Sequence, residues 1–208
     1  MTTSKMTKIE KLTELFRQFP GIGPRQAQRF VYFLLSMRSE DLSELSETIG
    51  SLSKEVSQCS SCFRFFPAVE NRYKCEICSD TSRDNSLLFI VAKDVDLESV
   101  EKSRTYGGLY FVTGGTLPLN EKNPDNKIRL KNLIDRTNTE SQNLREIILG
   151  FNLNAEGEHT SSYIEEKIGP IAAKKGIKIS FLARGLSTGA ELEYADSTTL
   201  KNALKNRT

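Results

Sequence analysis

The sequence of 208 residues lacks the features that mark membrane and secreted proteins. No apolar run approaches the roughly 20 residues that a helix needs to cross a bilayer, which excludes a membrane-spanning protein. Residues 1–12 carry three lysines but no apolar run, so we do not expect a secretory signal there. The expected compartment is therefore the cytoplasm. The chain also shows no internal repeat and no low-complexity segment.

Histidine and cysteine are scarce, and their positions limit the chemistry that we expect. Histidine occurs once, as His159, and no nucleophile is placed beside it by any recognisable spacing. We therefore expect His159 to have a surface or helix-capping role rather than a catalytic one. The glycines of residues 185–189 are not followed by Gly-Lys-Ser/Thr, so a phosphate-binding P-loop is excluded. Cysteine occurs four times, always within residues 59–78.

The charge of the chain is unevenly distributed. Residues 1–38 hold seven basic and two acidic residues, a net charge of +5, and residues 174–208 hold seven and three, a net charge of +4. Because the whole chain carries +2, the residues between them carry −7. This pattern suits one surface for a polyanion and another for a cation or a basic partner. A solvated surface on which the charges average out remains the alternative.

Hydrophobic periodicity divides the chain into segments and predicts a multidomain α+β fold. Residues 1–57 are predicted to form a helical hairpin domain, with a capping box at Thr7 and Glu10. Residues 58–80 form a four-cysteine segment. Residues 85–180 alternate apolar runs with amphipathic helices, which predicts an α/β domain with a parallel sheet. Residues 181–208 are predicted to form a C-terminal strand and helix, with the strand at Leu192 and Tyr194 available to a sheet edge of this chain or a neighbour. The expected strands of the α/β domain are residues 87–91, 109–112, 147–151 and 177–182, and its expected helices lie near residues 97–104, 127–138 and 161–175.

Two glycines flank Ile22 at the predicted turn between the first two helices. Gly21 and Gly23 permit positive φ and close approach of a ligand, and the next helix directs its N-terminal N–H groups toward the same place. Arg25 and Arg29 lie four residues apart and can reach flanking phosphates. These four residues resemble the helix-hairpin-helix motif of DNA repair proteins, which binds DNA without sequence preference. A Gly/Pro turn without a ligand is the alternative.

The four cysteines follow the pattern C-x2-C-x12-C-x2-C, at Cys59, Cys62, Cys75 and Cys78. Two such turns direct four thiolates at one point, which predicts a closed, structural Zn2+ site with one ion per chain. A pair of disulfides is the alternative, and reducing conditions in the cytoplasm disfavour it. Three nearby aromatic residues are expected to pack locally rather than to stack on bases: Phe63, Phe65 and Phe66.

Four acidic residues follow two of the predicted strands, namely Asp94, Asp96, Glu156 and Glu158. In an open parallel sheet the carboxyl ends of the strands form the ligand crevice. Four carboxylates gathered there can bind Mg2+. Alternatively, an aspartate caps the next helix, and the glutamates are solvated or contact a basic partner.

The order of these motifs resembles the RecR family of bacterial recombination proteins over residues 9–205. The motifs that carry the resemblance are residues 19–29, the four cysteines, Glu156-Gly-Glu-His-Thr, and residues 184–196 with Leu-Glu-Tyr-Ala-Asp at their end. The resemblance implies a Toprim domain in the middle, a ring-like homotetramer around single- or double-stranded DNA, and a place at the nucleoid. It also implies partnership with RecO and RecF, and loading of RecA onto single strands. By residue, it implies DNA binding by Arg25 and Arg29, and Toprim acidic positions at Asp96, Glu156 and Glu158.

The sequence departs from the family pattern at three places. Ala92 stands where the first Toprim strand should end in a glutamate, followed by Lys93. A Toprim nuclease or topoisomerase needs that carboxylate as a metal ligand or proton acceptor, so a non-enzymatic DNA clamp is favoured. The Mg2+-dependent enzyme and a scaffold that binds only proteins are the alternatives. His159 replaces a small residue, and residues 115–126 lack the expected loop pattern.

Overall fold

The computed structural model describes residues 6–139, 143–182, 191–194 and 197–205. Two parts of the predicted C-terminal motif, residues 184–190 and 195–196, lie outside the described residues. The chain divides into two units, Met1–Glu55 and Val56–Thr208, and each is described by itself. No helix in the described part is long and apolar enough to cross a membrane.

The first unit consists of three helices: α1 (Lys8–Phe16), α2 (Pro24–Ser36) and α3 (Ser39–Glu55). The predicted capping box at the start of α1 is confirmed. The Thr7 side chain accepts a hydrogen bond from the Glu10 N–H, and the Glu10 carboxylate accepts one from the Thr7 N–H at 2.7 Å. Residues 17–23 form the turn before α2. The helix begins at Pro24, because the fixed φ and missing N–H of proline suit the first position of a helix.

The core of this helical unit is small. Among its described residues only Ala27 and Val31 are fully buried. Three aromatic rings add to it, because the ring of Phe16 lies 5.7 Å from those of Phe19 and Phe30. In contrast, α3 has no buried residue and exposes an apolar stripe, made of Leu42, Leu45, Ile49 and Leu52.

The second unit begins with the segment that carries the cysteines, residues 56–79, which we call the four-cysteine knuckle. Strands β1 (Val56–Gln58) and β2 (Phe65–Pro67) pair antiparallel, and a single helical turn, α4 (Glu76–Ser79), closes the segment. Phe63 and Asn71 have positive φ, at 65° and 60°, which reverses the chain after Cys62 and before Cys75.

A parallel sheet of four strands follows, as predicted. The strands are β3 (Asp84–Val91), β4 (Gly108–Val112), β5 (Glu146–Leu149) and β6 (Lys178–Phe181), in the order β4-β3-β5-β6. The crossover helices are α5 (Asp94–Ser103), α6 (Leu130–Thr139) and α7 (Ala155–Lys175). The buried residues of α6 and α7 pack with one set of strand residues, and those of α5 and the four-cysteine knuckle pack with the alternate set, so both faces are covered.

The C-terminal region contains both a strand and a helix at residues where the sequence predicted them, and only the expected strand at Leu192 and Tyr194 is wrong. The strand is β6, and helix α8 runs over Ser197–Lys205. Leu192–Tyr194 forms one turn of 3-10 helix, whereas its alternation favoured a strand. Alternation over three residues is too short to distinguish the two conformations, because one turn of 3-10 helix is equally short.

Candidate metal centre and anion-binding hairpin

The four predicted cysteines meet at one point. Their Sγ atoms all lie within 4.8 Å of one another, and among the described residues they form the one group of three or more ligand side chains close enough for a metal ion. Three of the four thiols are fully buried, and Cys78 is partly exposed. The backbone N–H groups of Cys62 and Cys75 donate to Cys59 Sγ at 3.5 and 3.4 Å. Such donors favour a thiolate, which is the form that binds a metal.

The close packing of the four thiols favours the binding of a cation at this site. The pKa of Cys62 is raised, first because its thiol hydrogen-bonds to Cys59, and burial raises it further. Four thiolates packed this closely repel one another unless a positive ion neutralises them. No oxygen or nitrogen ligand joins the cluster among the described residues. A donor set of sulfur alone suits a tetrahedral, closed site rather than one that keeps a position open for water.

The four-cysteine knuckle is bound to the edge of the sheet. Val112 of β4 donates its N–H to the Cys62 carbonyl at 2.8 Å. Arg136 of α6 is buried, and its Nη1 donates to the carbonyls of Ser61 and Tyr110 at 3.0 and 2.7 Å. Arg129 Nη1 donates to the Val112 carbonyl at 2.9 Å. These bonds pair backbone groups of β4 that would otherwise be unpaired at the edge of the sheet. We call this edge of β4, together with its contacts to the knuckle, Arg129 and Arg136, the covered β4 edge.

Of the four acidic residues, Asp94 and Asp96 have structural partners. Asp94 Oδ1 accepts the N–H of Phe65 at 2.7 Å, which joins the four-cysteine knuckle to the start of α5. Asp96 Oδ2 accepts the N–H of Lys93 at 2.9 Å, so it closes the first turn of α5. The helix-capping alternative thus describes Asp96. Ala92, at the end of β3, is buried and supplies no carboxylate.

Glu156 and Glu158 lie in the first turn of α7. The Thr116 hydroxyl donates to Glu156 Oε2 at 3.0 Å, and Glu158 lines a cavity of about 290 Å³ beside Leu149 and Phe181. No three of the four predicted carboxylates gather within ligand distance in the described residues. His159 is partly exposed on the same helix, next to the turn that Asn154 caps.

The hairpin of the first unit presents backbone donors. Of the two glycines expected to permit positive φ, Gly21 adopts it at 76°, whereas Gly23 is extended with a φ of −82°. Gly23 is the N-cap of α2, and no side chain caps the helix, so its first N–H groups point outward. Arg25 and Arg29 are exposed, and no carboxylate pairs with either of them in the part of the chain described. The first turn of α2 therefore carries a positive potential that favours an anion.

Arg17 is a basic residue near the hairpin that sequence reasoning missed. It lines an open groove of about 660 Å³ together with Pro24, Arg25 and residues of α1. An ion pair of 2.7 Å holds Arg17 to Glu14. The position of Arg17, directly after α1 and four residues before Gly21, could have identified it as a candidate site residue.

Comparison with known proteins covers nearly the whole chain. The family model described as RecR, helix-hairpin-helix, matches residues 9–52, a Toprim domain model matches residues 86–183, and the model of the RecR C-terminal region matches residues 185–208. A protein named Recombination protein RecR from Staphylococcus haemolyticus is 39% identical over 201 residues, which are 96% of each chain. Proteins of the same name from Staphylococcus aureus and Staphylococcus saprophyticus are 38% identical over the same share. The chain therefore belongs to the RecR family of recombination proteins.

Proposed function

We propose that this chain is a DNA-binding protein of recombinational repair that binds the DNA backbone without sequence preference. The observation that carries the proposal is the N-terminus of α2, which has no side-chain cap and lies between left-handed Gly21 and the exposed pair Arg25 and Arg29. Phosphate is the ligand that such a terminus favours. Contacts of this kind position a duplex or a single strand but carry no base information. The proposed DNA-binding residues are Gly21, Gly23, Arg25 and Arg29.

Zinc is the ion that we propose for the four cysteines, at one Zn2+ per chain. The all-sulfur donor set, its burial and the free state of all four cysteines support Zn2+ over disulfides. A closed site has no position for substrate, so the ion stabilises the fold. The proposed domains are residues 1–57, 58–80, 85–180 and 181–208.

We propose that the chain acts as a DNA clamp and does not catalyse a reaction. Ala92 removes a carboxylate that Toprim enzymes need, and Asp94 and Asp96 already accept backbone N–H groups. The resemblance to the RecR family supports three further properties of this chain. They are assembly into a homotetramer, partnership with RecO and RecF, and loading of RecA. The exposed stripe of α3 supports self-association, and Glu156 and Glu158 are candidates for contact with a basic partner or Mg2+.

Fluorescence anisotropy with labelled DNA tests the proposal. We expect the double variant Arg25→Ala and Arg29→Ala to bind more weakly and with a shallower salt dependence, lower by about one unit of slope per lost phosphate contact. Lys54→Ala, at the end of α3, is the matched control because it removes a positive charge far along the chain from the hairpin. Equal binding by the double variant and the wild type would place the DNA site elsewhere.

The same titration, repeated with Mg2+ and followed by a gel, separates a clamp from an enzyme. Intact DNA is expected. Cleavage that depends on Mg2+ and disappears in Glu156→Gln would establish the Toprim enzyme instead.

A further inference from the structure

Tyr73 is the most exposed aromatic side chain of the four-cysteine knuckle, at 75% exposure. The other aromatic residues of this segment behave differently. Phe66 is buried, and Phe63 packs edge-on against Phe111 with 5.4 Å between ring centroids. The Tyr73 ring makes no ring contact or side-chain hydrogen bond with any residue described. Packing therefore gives no reason for a large aromatic residue at this position.

The backbone around Tyr73 is held firmly. The Ser60 N–H donates to the Tyr73 carbonyl at 2.9 Å, which ties this turn to the first pair of cysteines. Arg72 Nε donates to the Lys74 carbonyl at 3.0 Å, and Asn71 adopts the left-handed conformation that makes the turn. The metal ligand Cys75 follows two residues later. The ring thus projects from a rigid base, and little conformational entropy is lost when a flat ligand covers it.

Basic residues precede and follow Tyr73 directly in the sequence. Arg72 lies over the Phe66 ring at 5.8 Å and 4.0 Å from Glu76, so its charge is partly balanced. Lys74 is exposed and lines a cavity of about 310 Å³. Hydroxyl and amide groups make up much of the remaining lining, which consists of Ser60, Ser61, Phe63, Asn132, Asp135, Arg136 and Thr139. Tyr73 adjoins this cavity only through Lys74, the next residue in the chain, and the cations Lys74 and Arg136 outnumber the one carboxylate, Asp135, in the lining. An exposed ring next to a lysine and to hydrogen-bond donors and acceptors matches the chemistry of a nucleotide.

We infer that the four-cysteine knuckle is a second DNA contact that selects single strands, with one base stacked on Tyr73 and the neighbouring phosphate at Lys74. Single strands expose the flat faces of their bases, whereas a duplex buries them, so an aromatic platform between basic residues favours the single strand. The basic flanks favour DNA over an apolar protein partner. This surface shares no residue with the hairpin and adds a strand preference that backbone contacts lack.

The chain has no tryptophan, which permits a direct test of stacking. Tyr73→Trp places a single indole at the proposed site in the full, metal-loaded chain. We expect an oligothymidylate to quench its fluorescence and a DNA hairpin duplex of equal length to leave it nearly unchanged. Phe65→Trp is the matched control, because Phe65 is 55% exposed on the same knuckle but lies beside the Asp94 carboxylate. Equal quenching at both positions, or none at Tyr73→Trp, would overturn the inference.

Affinity provides the second measurement. Tyr73→Ala should weaken binding of the oligothymidylate by at least about fivefold, the lower limit for one base–aromatic stack, and leave duplex affinity unchanged. Tyr73→Phe should retain wild-type affinity, and metal content and circular dichroism establish that each variant is folded. Unchanged single-strand affinity in Tyr73→Ala would refute the platform. Failure of the hairpin proposal would give a different result: the double variant Arg25→Ala and Arg29→Ala would bind duplex DNA as tightly as the wild type does.

Discussion

Gly157 separates the two glutamates in the Glu156-Gly-Glu motif for a steric reason. A Cβ atom at this position would lie 2.0 Å from the backbone carbonyl oxygen of Asn152. The Gly157 N–H also donates to Asn154 Oδ1 at 2.8 Å, which caps α7. Any larger residue must therefore displace the first turn of α7, and with it the contact between Thr116 and Glu156.

The substitution Gly157→Ala is expected to lower the free energy of unfolding by about 1–3 kcal/mol, because the added methyl group meets backbone rather than a movable side chain. Gly169→Ala in the same helix is the control. A new Cβ at Gly169 would meet no atom within 4 Å beyond its own helical backbone, so the change should be neutral or stabilising by about 0.5–1 kcal/mol. Urea denaturation of both variants measures the difference. Similar midpoints for the two would contradict the steric explanation.

Glu101 forms a half-buried ion pair that makes stability depend on pH. Arg83 Nη1 donates to Glu101 Oε1 at 3.0 Å and to the Gly108 carbonyl at 2.9 Å, which fixes α5 to the start of β4. Burial by itself would raise the pKa of Glu101, but the hydrogen bonds and charge of Arg83 outweigh it and lower that pKa below its ordinary value of 4.5. The pair therefore stabilises the fold while the carboxylate is ionised.

Thermal melting of Glu101→Gln at several pH values tests this ion pair. A lowered pKa in the folded state contributes stability that is complete above the unfolded value and is lost as the pH falls through the folded value. We expect Glu101→Gln to be less stable by about 1–3 kcal/mol at neutral pH, and the gap to close as the pH falls below about 4.5. Glu98→Gln, on the same helix, should show no such gap. A gap that stays constant with pH would rule out ionisation as its cause.

At the scale of elements, the four-cysteine knuckle contributes to the core of the sheet. Cys59, Cys62 and Cys75 belong to the same buried cluster as Phe89 and Tyr110 of the sheet. A short segment with two strands of three residues cannot bury enough apolar surface to hold this position by itself. A metal ion bound by the four cysteines is therefore expected to stabilise the sheet as well as the knuckle.

Removal of the metal is expected to lower the melting temperature of the Val56–Thr208 unit. The decrease should be at least about 2–4 °C, the shift that 1 kcal/mol produces in a domain of this size. A chromophoric chelator measures release of the ion, and calorimetry measures the transition. Addition of Zn2+ should restore it. An unchanged melting curve after verified release would show that the site has no structural role.

Local patterns predicted most of the elements, and long-range contacts account for the errors. The cysteine spacing predicted the cluster because two short turns determine its geometry. The prediction started α7 near residue 161, whereas the helix begins at Ala155. Its first two turns contain glycine and acidic residues, a composition typical of a loop, and the Asn154 cap and the fit of Gly157 against Asn152 hold them helical.

The site was predicted less completely than the fold. The hydrogen bond between the Phe65 N–H and Asp94 joins residues 29 positions apart, so no local pattern indicates it. The exposure of Tyr73 likewise depends on how the four-cysteine knuckle turns. In contrast, the left-handed Gly21 and the N-terminus of α2 follow from residues adjacent in sequence. Sequence reasoning therefore found these local features and missed the contacts that tertiary structure creates.

At the scale of the molecule, the helical unit has few buried residues among those described, so we expect it to be only marginally stable by itself. It spans Met1–Glu55, and its described residues include only two that are fully buried. Domains of this size are marginal even with a good core. The exposed stripe of α3 offers the apolar surface that a second copy of the chain would cover, in agreement with the proposed homo-oligomer.

Unfolding of the helical unit is therefore expected to depend on protein concentration. Self-association that buries the stripe of α3 raises the melting temperature as concentration increases. Ile49 is 60% exposed on this stripe, so Ile49→Glu should remove the dependence, whereas Ser43→Glu on another part of α3 should not. Calorimetry and sedimentation over a wide concentration range measure both effects. A single melting temperature at all concentrations would contradict self-association through this surface.

The covered β4 edge has a consequence for solubility. Strand β4 reads Gly-Leu-Tyr-Phe-Val, with no charge and no proline, which is the composition of segments that assemble into intermolecular β-structure. Natural sheets avoid such assembly by covering or charging their edges. In this chain the cover is the four-cysteine knuckle with two arginines of the loop and helix that follow β4. If the proposed metal stabilises this cover, its loss is expected to expose an aggregation-prone strand and to lower the solubility of the protein.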